Sequence, residues 1–189
     1  MKKFLLCLFL FLFLSGCQKA KPEYLVSSIG IDTKNDKFNI CFEAVIVNSE
    51  NPEQKLMLLK GSGDTIEQAV AQINRQCTQP ILLSHCAVII IGETVTQNQL
   101  NKILEYCYQK DEITLSAFFI TTKNAEKLLS QEPVSSVCVG YDIMGLIEQY
   151  SKLQNKNFKN RFFEVITLKE QAKLPKIILK EKGYYLENN

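Results

Sequence analysis

Between Tyr24 and Leu186 the chain alternates between two apolar rhythms, one of period two and one of helical period. Residues 24–32 and 38–47 are rich in β-branched and aromatic side chains, and the polar run Thr33-Lys34-Asn35-Asp36-Lys37 separates them. Two such runs around a polar turn predict a β-hairpin. Residues 48–54, with Pro52, predict a loop, and residues 55–60 a third strand. Gly61-Ser62-Gly63-Asp64 then breaks the pattern, its glycines expected to supply unusual backbone angles ahead of a helix. Ile66, Ala69, Val70 and Ile73 form one helical stripe, and either Asp64 with Glu67 or Thr65 with Gln68 has capping-box spacing. That helix stops before Pro80. Residues 87–91 are continuously apolar, as suits a strand covered on both faces. Leu100, Ile103, Leu104 and Cys107 place a second helix over 96–108. There follow a strand at 115–121, a short helix at 124–130, a longer helix at 141–153, a polar loop at 155–160 and a short helix before Pro175. Short strands at 177–179 and 184–186 flank Gly183. A hairpin first, then strands alternating with helices, predicts one α+β (mixed α/β) domain: a sheet with an N-terminal β-hairpin and helices packed on at least one face.

The first residues obey a different rule. Met1-Lys2-Lys3 is a short positive end, and residues 4–14 are an unbroken apolar run. This suits a signal-peptide core and falls short of the roughly 20 apolar residues that span a bilayer as a helix. Leu14-Ser15-Gly16-Cys17 follows and resembles the lipobox of bacterial lipoproteins. The expectation is a signal peptide over 1–16 and lipid attachment at Cys17, with acyl chains such as palmitate. Residues 17–23 would be a lipidated tether to a domain over 24–189. Two or three acyl chains hold a membrane well where one does not, so the protein is expected to be lipid-anchored on the extracytoplasmic face.

Charge adds a negative result. Taking Lys2 and Lys3 from the 22 basic residues leaves 20 against 20 acidic ones, with no dense basic stretch. No nucleic-acid partner is expected, and the Lys-rich C-terminal part reads as solvated surface. Cys41, Cys77, Cys86, Cys107 and Cys138 are odd in number and contain no C-x-x-C pair. Buried small hydrophobes are the expected reading; a disulfide outside the cytoplasm stays open, unpaired by sequence alone. His85 is the sole histidine. Placed at a strand entrance beside Ser84 and Cys86, it would diverge from both, which disfavours a nucleophile–base pair or a metal site. It is expected to be a satisfied structural histidine. Gly61-Ser62-Gly63 lacks the Gly-Lys-Ser of a phosphate loop. Asp111, Glu112 and Glu148 read as solvated surface. No catalytic residue, metal site or cofactor is expected.

Four segments in order resemble one family, the lipoprotein C subunits of the nutrient germinant receptors of spore-forming Firmicutes. They are Ser28-Ile29-Gly30-Ile31-Asp32 and Gly63-Asp64-Thr65-Ile66-Glu67-Gln68-Ala69, then Ser84-His85-Cys86-Ala87-Val88-Ile89-Ile90-Ile91-Gly92-Glu93. The last runs from Ile103-Leu104-Glu105 through Lys110-Asp111-Glu112 to Ala125-Glu126-Lys127-Leu128-Leu129. Members usually carry Trp-Asp after the lipid cysteine, where this chain has Gln18-Lys19, and Arg-Asp where it has Lys110-Asp111. The family also has a further C-terminal region, so the chain resembles its N-terminal domain alone. The resemblance implies a non-enzymatic, membrane-anchored receptor subunit acting in spore germination at the spore inner membrane. Its implied partners are the membrane-embedded A and B receptor subunits. The alternative is a free-standing envelope lipoprotein that binds a small ligand or a wall component.

Overall fold

The computed structural model describes residues 23–47, 55–181 and 183–187; the lipobox, Cys17 and the expected loop at 48–54 lie outside them. Strands β1 (Glu23–Lys34) and β2 (Lys37–Val47) form the expected hairpin. Its turn is tighter than the polar run suggests. Only Asn35 and Asp36 leave the ladder, at φ 51° and 61°, residue types that tolerate the left-handed angles a two-residue hairpin turn demands. Strand β3 (Lys55–Gly63) lies antiparallel on β2. Next come α1 (Ile66–Asn74), a two-residue β4 (Ile81–Leu82), β5 (Val88–Gly92), α2 (Gln97–Gln109) and β6 (Phe118–Thr122). Then follow α3 (Ala125–Leu129), α4 (Val139–Gln154), α5 (Phe162–Leu168) with a 3-10 turn at Lys169–Gln171, and the hairpin β7 (Lys176–Lys180) and β8 (Gly183–Leu186). The sheet order is β3-β2-β1-β5-β6-β7-β8, with β4 beside the start of β1. The strands β1, β5, β6 and β7 run parallel, and the outer pairs are antiparallel. This is an α+β fold with helices on both faces.

Strand β5 shows why both faces are covered. All five of its residues are buried. Ile89 and Ile91 pack with α1, α2 and α5 through Ile73, Ile103 and Val165. Val88 and Ile90 point the other way, against Leu128 of α3 and Ile143 and Ile147 of α4. A period of two between two helix layers therefore leaves no polar position on the strand.

Two expectations are corrected and one open choice of cap is settled. Gly61 and Gly63 do not break the strand and have no positive φ; they complete β3. Their smallness is needed because α1 lies directly over the strand: a Cβ on Gly61 would stand 2.1 Å from the Ala69 carbonyl oxygen. Thr65, not Asp64, caps α1, accepting the Gln68 amide. Residues 115–117 are not strand, since Thr114 to Ser116 form a turn whose hydroxyls meet at 2.8 Å. Substituting Gly61 by Ala is expected to cost about 1–3 kcal/mol through this overpacking. Urea denaturation measures it, and an unchanged midpoint would mean that α1 does not seat on β3.

Candidate functional site

A buried carboxylate must be paired or hydrogen-bonded, and three of them organise this domain. Glu43, in the middle of β2, is 1% exposed. Its Oε2 accepts the hydroxyls of Ser27 at 2.8 Å and Ser28 at 3.0 Å and the amide of Gly140 at 2.9 Å; its Oε1 accepts the Val139 amide at 2.6 Å. Neighbouring residues on a strand normally point to opposite faces. Here the register slips between Val26 and Ser28, a bulge at Ser27 that turns both serines toward one carboxylate. The two amides are the first of α4, a helix whose own N-cap, Cys138, makes no side-chain cap bond. Glu43 is thus its remote cap, on the helix end that carries partial positive charge. Contact is so close that a Cβ on Gly140 would stand 1.6 Å from Ser28 Oγ.

Asp32 repeats the device at the end of β1. Its two oxygens accept the amides of Ala125 and Glu126, each at 3.0 Å, at the start of α3. Asp142, on the first turn of α4, accepts the amides of Val134 and Ser135, the Ser135 hydroxyl at 2.7 Å and the Tyr184 hydroxyl of β8. Burial alone would raise the Asp142 carboxyl, but hydrogen bonds from Tyr184, Ser135 and Val134 outweigh it and pull it down to about 2. Burial, and then the bond to Asp142, raise the Tyr184 phenol. Every buried side-chain nitrogen and oxygen among the described residues has a partner. These carboxylates are therefore occupied by the protein itself and are structural pins.

Cys41, Cys86, Cys107 and Cys138 are buried free thiols and Cys77 is partly buried. Burial pushes Cys107 up to about 12 and raises the other four, so none is a ready thiolate. No group of His, Cys, Asp and Glu among the described residues could hold a metal ion. His85 differs from expectation: it is exposed, beside Ser84, in the turn between β4 and β5 rather than at a strand entrance. No described residue hydrogen-bonds to it, so it is not a satisfied structural histidine. Glu148 pairs with Arg161 at 3.4 Å, and Glu112 accepts the Leu83 amide at 3.3 Å. Sequence reading did not single out Glu43. The available signal was a carboxylate inside Ile40-Cys41-Phe42-Glu43-Ala44-Val45-Ile46, where burial of a charge demands partners.

The surface offers an open cleft of about 960 Å³ beyond the C-terminal ends of β5 and β6. It is lined by Glu93, Lys123, Lys127, Lys176, Ile178 and others, and Lys176 bridges Glu93 at 3.0 Å and Glu187 at 3.1 Å. Both signs of charge are present in its lining. No helix among the described residues is long and apolar enough to cross a membrane.

Comparison with known proteins matches this arrangement to one family. The family profile described as Spore germination protein N-terminal domain matches residues 23–178. The Spore germination protein GerQC of Bacillus cereus is 26% identical over 197 aligned positions, covering 100% of this chain and 54% of that protein. The chain thus spans about half the length of this curated relative. No solved structure matches.

Two measurements check the pins. Glu43→Ala leaves two helix amides and the Ser28 hydroxyl without their acceptor, while the Ser27 hydroxyl keeps the Glu43 backbone carbonyl at 3.1 Å. It is expected to cost about 3–5 kcal/mol, as when one partner of a buried charge network is removed. Glu43→Gln keeps one acceptor oxygen and should lose less; equal losses would mean that the hydrogen bonds are not what Glu43 supplies. The lowered pKa of Asp142 stabilises the fold fully above about pH 4, and that contribution is lost as pH falls through about 2. Asp142→Asn should therefore be less stable near neutrality and show a shallower fall between pH 4 and 2. Parallel thermal melts over that range measure the difference.

Proposed function

We infer the function from one premise: the chain belongs to the spore germination protein family, whose N-terminal domain it carries over residues 23–178. From it we propose a non-enzymatic lipoprotein subunit of a nutrient germinant receptor, held by acyl chains on Cys17 to the outer face of the spore inner membrane. The observation that carries this reading is the match of residues 23–178 to that family, a few residues behind the lipobox Leu14-Ser15-Gly16-Cys17. Its partners would be the membrane-embedded receptor subunits. The buried thiols, the self-satisfied carboxylates and the mixed-charge cleft support assembly and contact over catalysis. Anchoring restricts the domain to the plane of those partners and raises its effective concentration beside them.

Cys17→Ala is expected to abolish incorporation of labelled fatty acid, because the thiol is the acyl acceptor; equal labelling of variant and parent would reject the assignment. Tagged protein solubilised from spore inner membrane should copurify the multi-span receptor subunits, and Cys17→Ala should lose them. A stably present protein that recovers none would overturn the receptor reading and favour the free-standing envelope lipoprotein.

A further inference from the structure

The sheet has two distinct ends, and the proposed anchor reaches only one. The parallel strands β1, β5 and β6 start at the same end, with Ser28 level with Val88 and Val88 level with Phe118. Tyr24 extends beyond them, beside Ile81. From Cys17 to Glu23 the chain can stretch at most about 20 Å. A domain of this size has a radius of gyration of about 15 Å. On the Cys17 reading, Glu23 and its end of the sheet stay near the bilayer, and the opposite end is held away from it.

That near end carries a contiguous apolar strip. Helix α2 runs back from the end of β5 to the start of β6, so its last turn and the following residues lie there. Tyr108 on that turn is 66% exposed, Leu115 just before β6 is 50% exposed, and Phe163 at the start of α5 is 52% exposed. The Phe163 amide donates to the Leu115 carbonyl at 3.1 Å, which sets the two side by side. One turn on, at i+3, Ile166 shares with Tyr108 and Leu104 an apolar cleft of about 340 Å³. Lys169, Asn101 and Glu105 border the same cleft, and Lys110 lies 5.5 Å from the Tyr106 ring at the end of α2. Single exposed apolar side chains need no explanation, whereas a connected strip with a polar rim does. Tyrosine, phenylalanine and leucine flanked by lysine is the composition of surfaces that rest at the headgroup–acyl boundary.

We propose that this strip, Leu115-Phe163-Ile166-Tyr108, lies against the bilayer that holds the anchor. Tyr108 and Phe163 enter the headgroup–acyl boundary, and the cleft beyond β5 and β6 faces away from the membrane. The proposal rests on the Cys17 reading; it adds which surface the membrane covers.

The chain contains no tryptophan, so one introduced at a chosen position reports alone. Full-length lipidated protein carrying Phe163→Trp, Tyr108→Trp or Lys123→Trp is placed in phosphatidylglycerol–phosphatidylethanolamine vesicles with acyl chains brominated near the headgroup. Flotation with the vesicles is scored beside fluorescence. The expected result is flotation of all three, a blue shift and loss of emission for Phe163→Trp and Tyr108→Trp, and unquenched emission for Lys123→Trp at the far end. Flotation with all three equally unquenched would keep the anchor and overturn the orientation. Quenching of Lys123→Trp alone would invert it. Failure to float would remove the Cys17 reading and the orientation with it. A Phe163→Trp that is unquenched in lipid vesicles but blue-shifted in spore membrane would assign the strip to a protein partner and overturn the lipid contact.

Discussion

One buried carboxylate sets the geometry of a whole face of this domain. Burying the Glu43 side chain costs several kcal/mol unless its oxygens are matched by donors. The donors here come from two places far apart in the chain: a bulge in β1 and the first turn of α4, the latter 96 residues downstream at Val139. Hydrophobic contact alone would let α4 slide or rotate over the sheet, because burial is non-directional. Hydrogen bonds to a fixed carboxylate do not. The bulge, the close approach at Gly140 and the start of the helix are three consequences of one constraint, since each is needed to bring donors within 3 Å of the same two oxygens.

The same logic recurs on that face and is sparse on the other. Asp32 fixes α3 to the end of β1, and Asp142 ties the loop at Val134 and Ser135, α4 and β8 together through Tyr184. Helices α3 and α4 are thus positioned by acids donated from strands or shared with them. On the opposite face α1, α2 and α5 rely on the larger apolar cluster around Ile73, Ile103 and Phe119 and on local caps at Thr65 and Thr96. One layer is placed by directional bonds over long sequence separations, the other by periodicity and packing. Only the second kind of information is written locally in a sequence.

That division explains what sequence reading recovered. The hairpin, the stripe Ile66-Ala69-Ile73, the buried run of β5 and the α2 stripe at Ile103, Leu104 and Cys107 are local patterns, and each appears within a residue or two of its expected place. Strand β4 was illegible because two residues have no periodicity. Helix α4 begins at Val139 rather than 141 because its cap is a glutamate on β2, invisible from the residues around it. The glycines at 61 and 63 looked like chain breakers because a close helix crossing and a sharp turn ask for the same residue type. His85 misled for a related reason. A lone histidine next to an apolar run resembles a strand entrance, yet the chain turns there and leaves the ring in solvent. The four family-like segments fared better, and with the fold in hand two of them gain physical content. Ser28 and Asp32 in the first segment are a donor to Glu43 and an acceptor at the start of α3, while Ala125 and Glu126 in the last supply the amides that Asp32 receives.

A domain so pinned is suited to bearing contacts and poorly suited to moving. Its buried polar groups are spent internally, four of its five described thiols are buried with raised pKa values, and the cleft beyond β5 and β6 mixes both charges. On the proposed Cys17 anchor, a lipid tether at one end of a rigid sheet would convert that rigidity into function. If the strands' starting end rests on the bilayer, the distance of every other surface from the membrane is fixed by the strand length, about 3.3 Å per residue. The rim at Glu93, Lys123 and Lys176 would then stand at a set height above the lipid, where the proposed membrane-embedded partners could meet it. A flexible or catalytic domain would gain nothing from such a fixed height, but a subunit that works by holding surfaces in register would depend on it. The carboxylate at Glu43 is therefore of more than local importance: loosening α4 would loosen the frame from which those heights are measured.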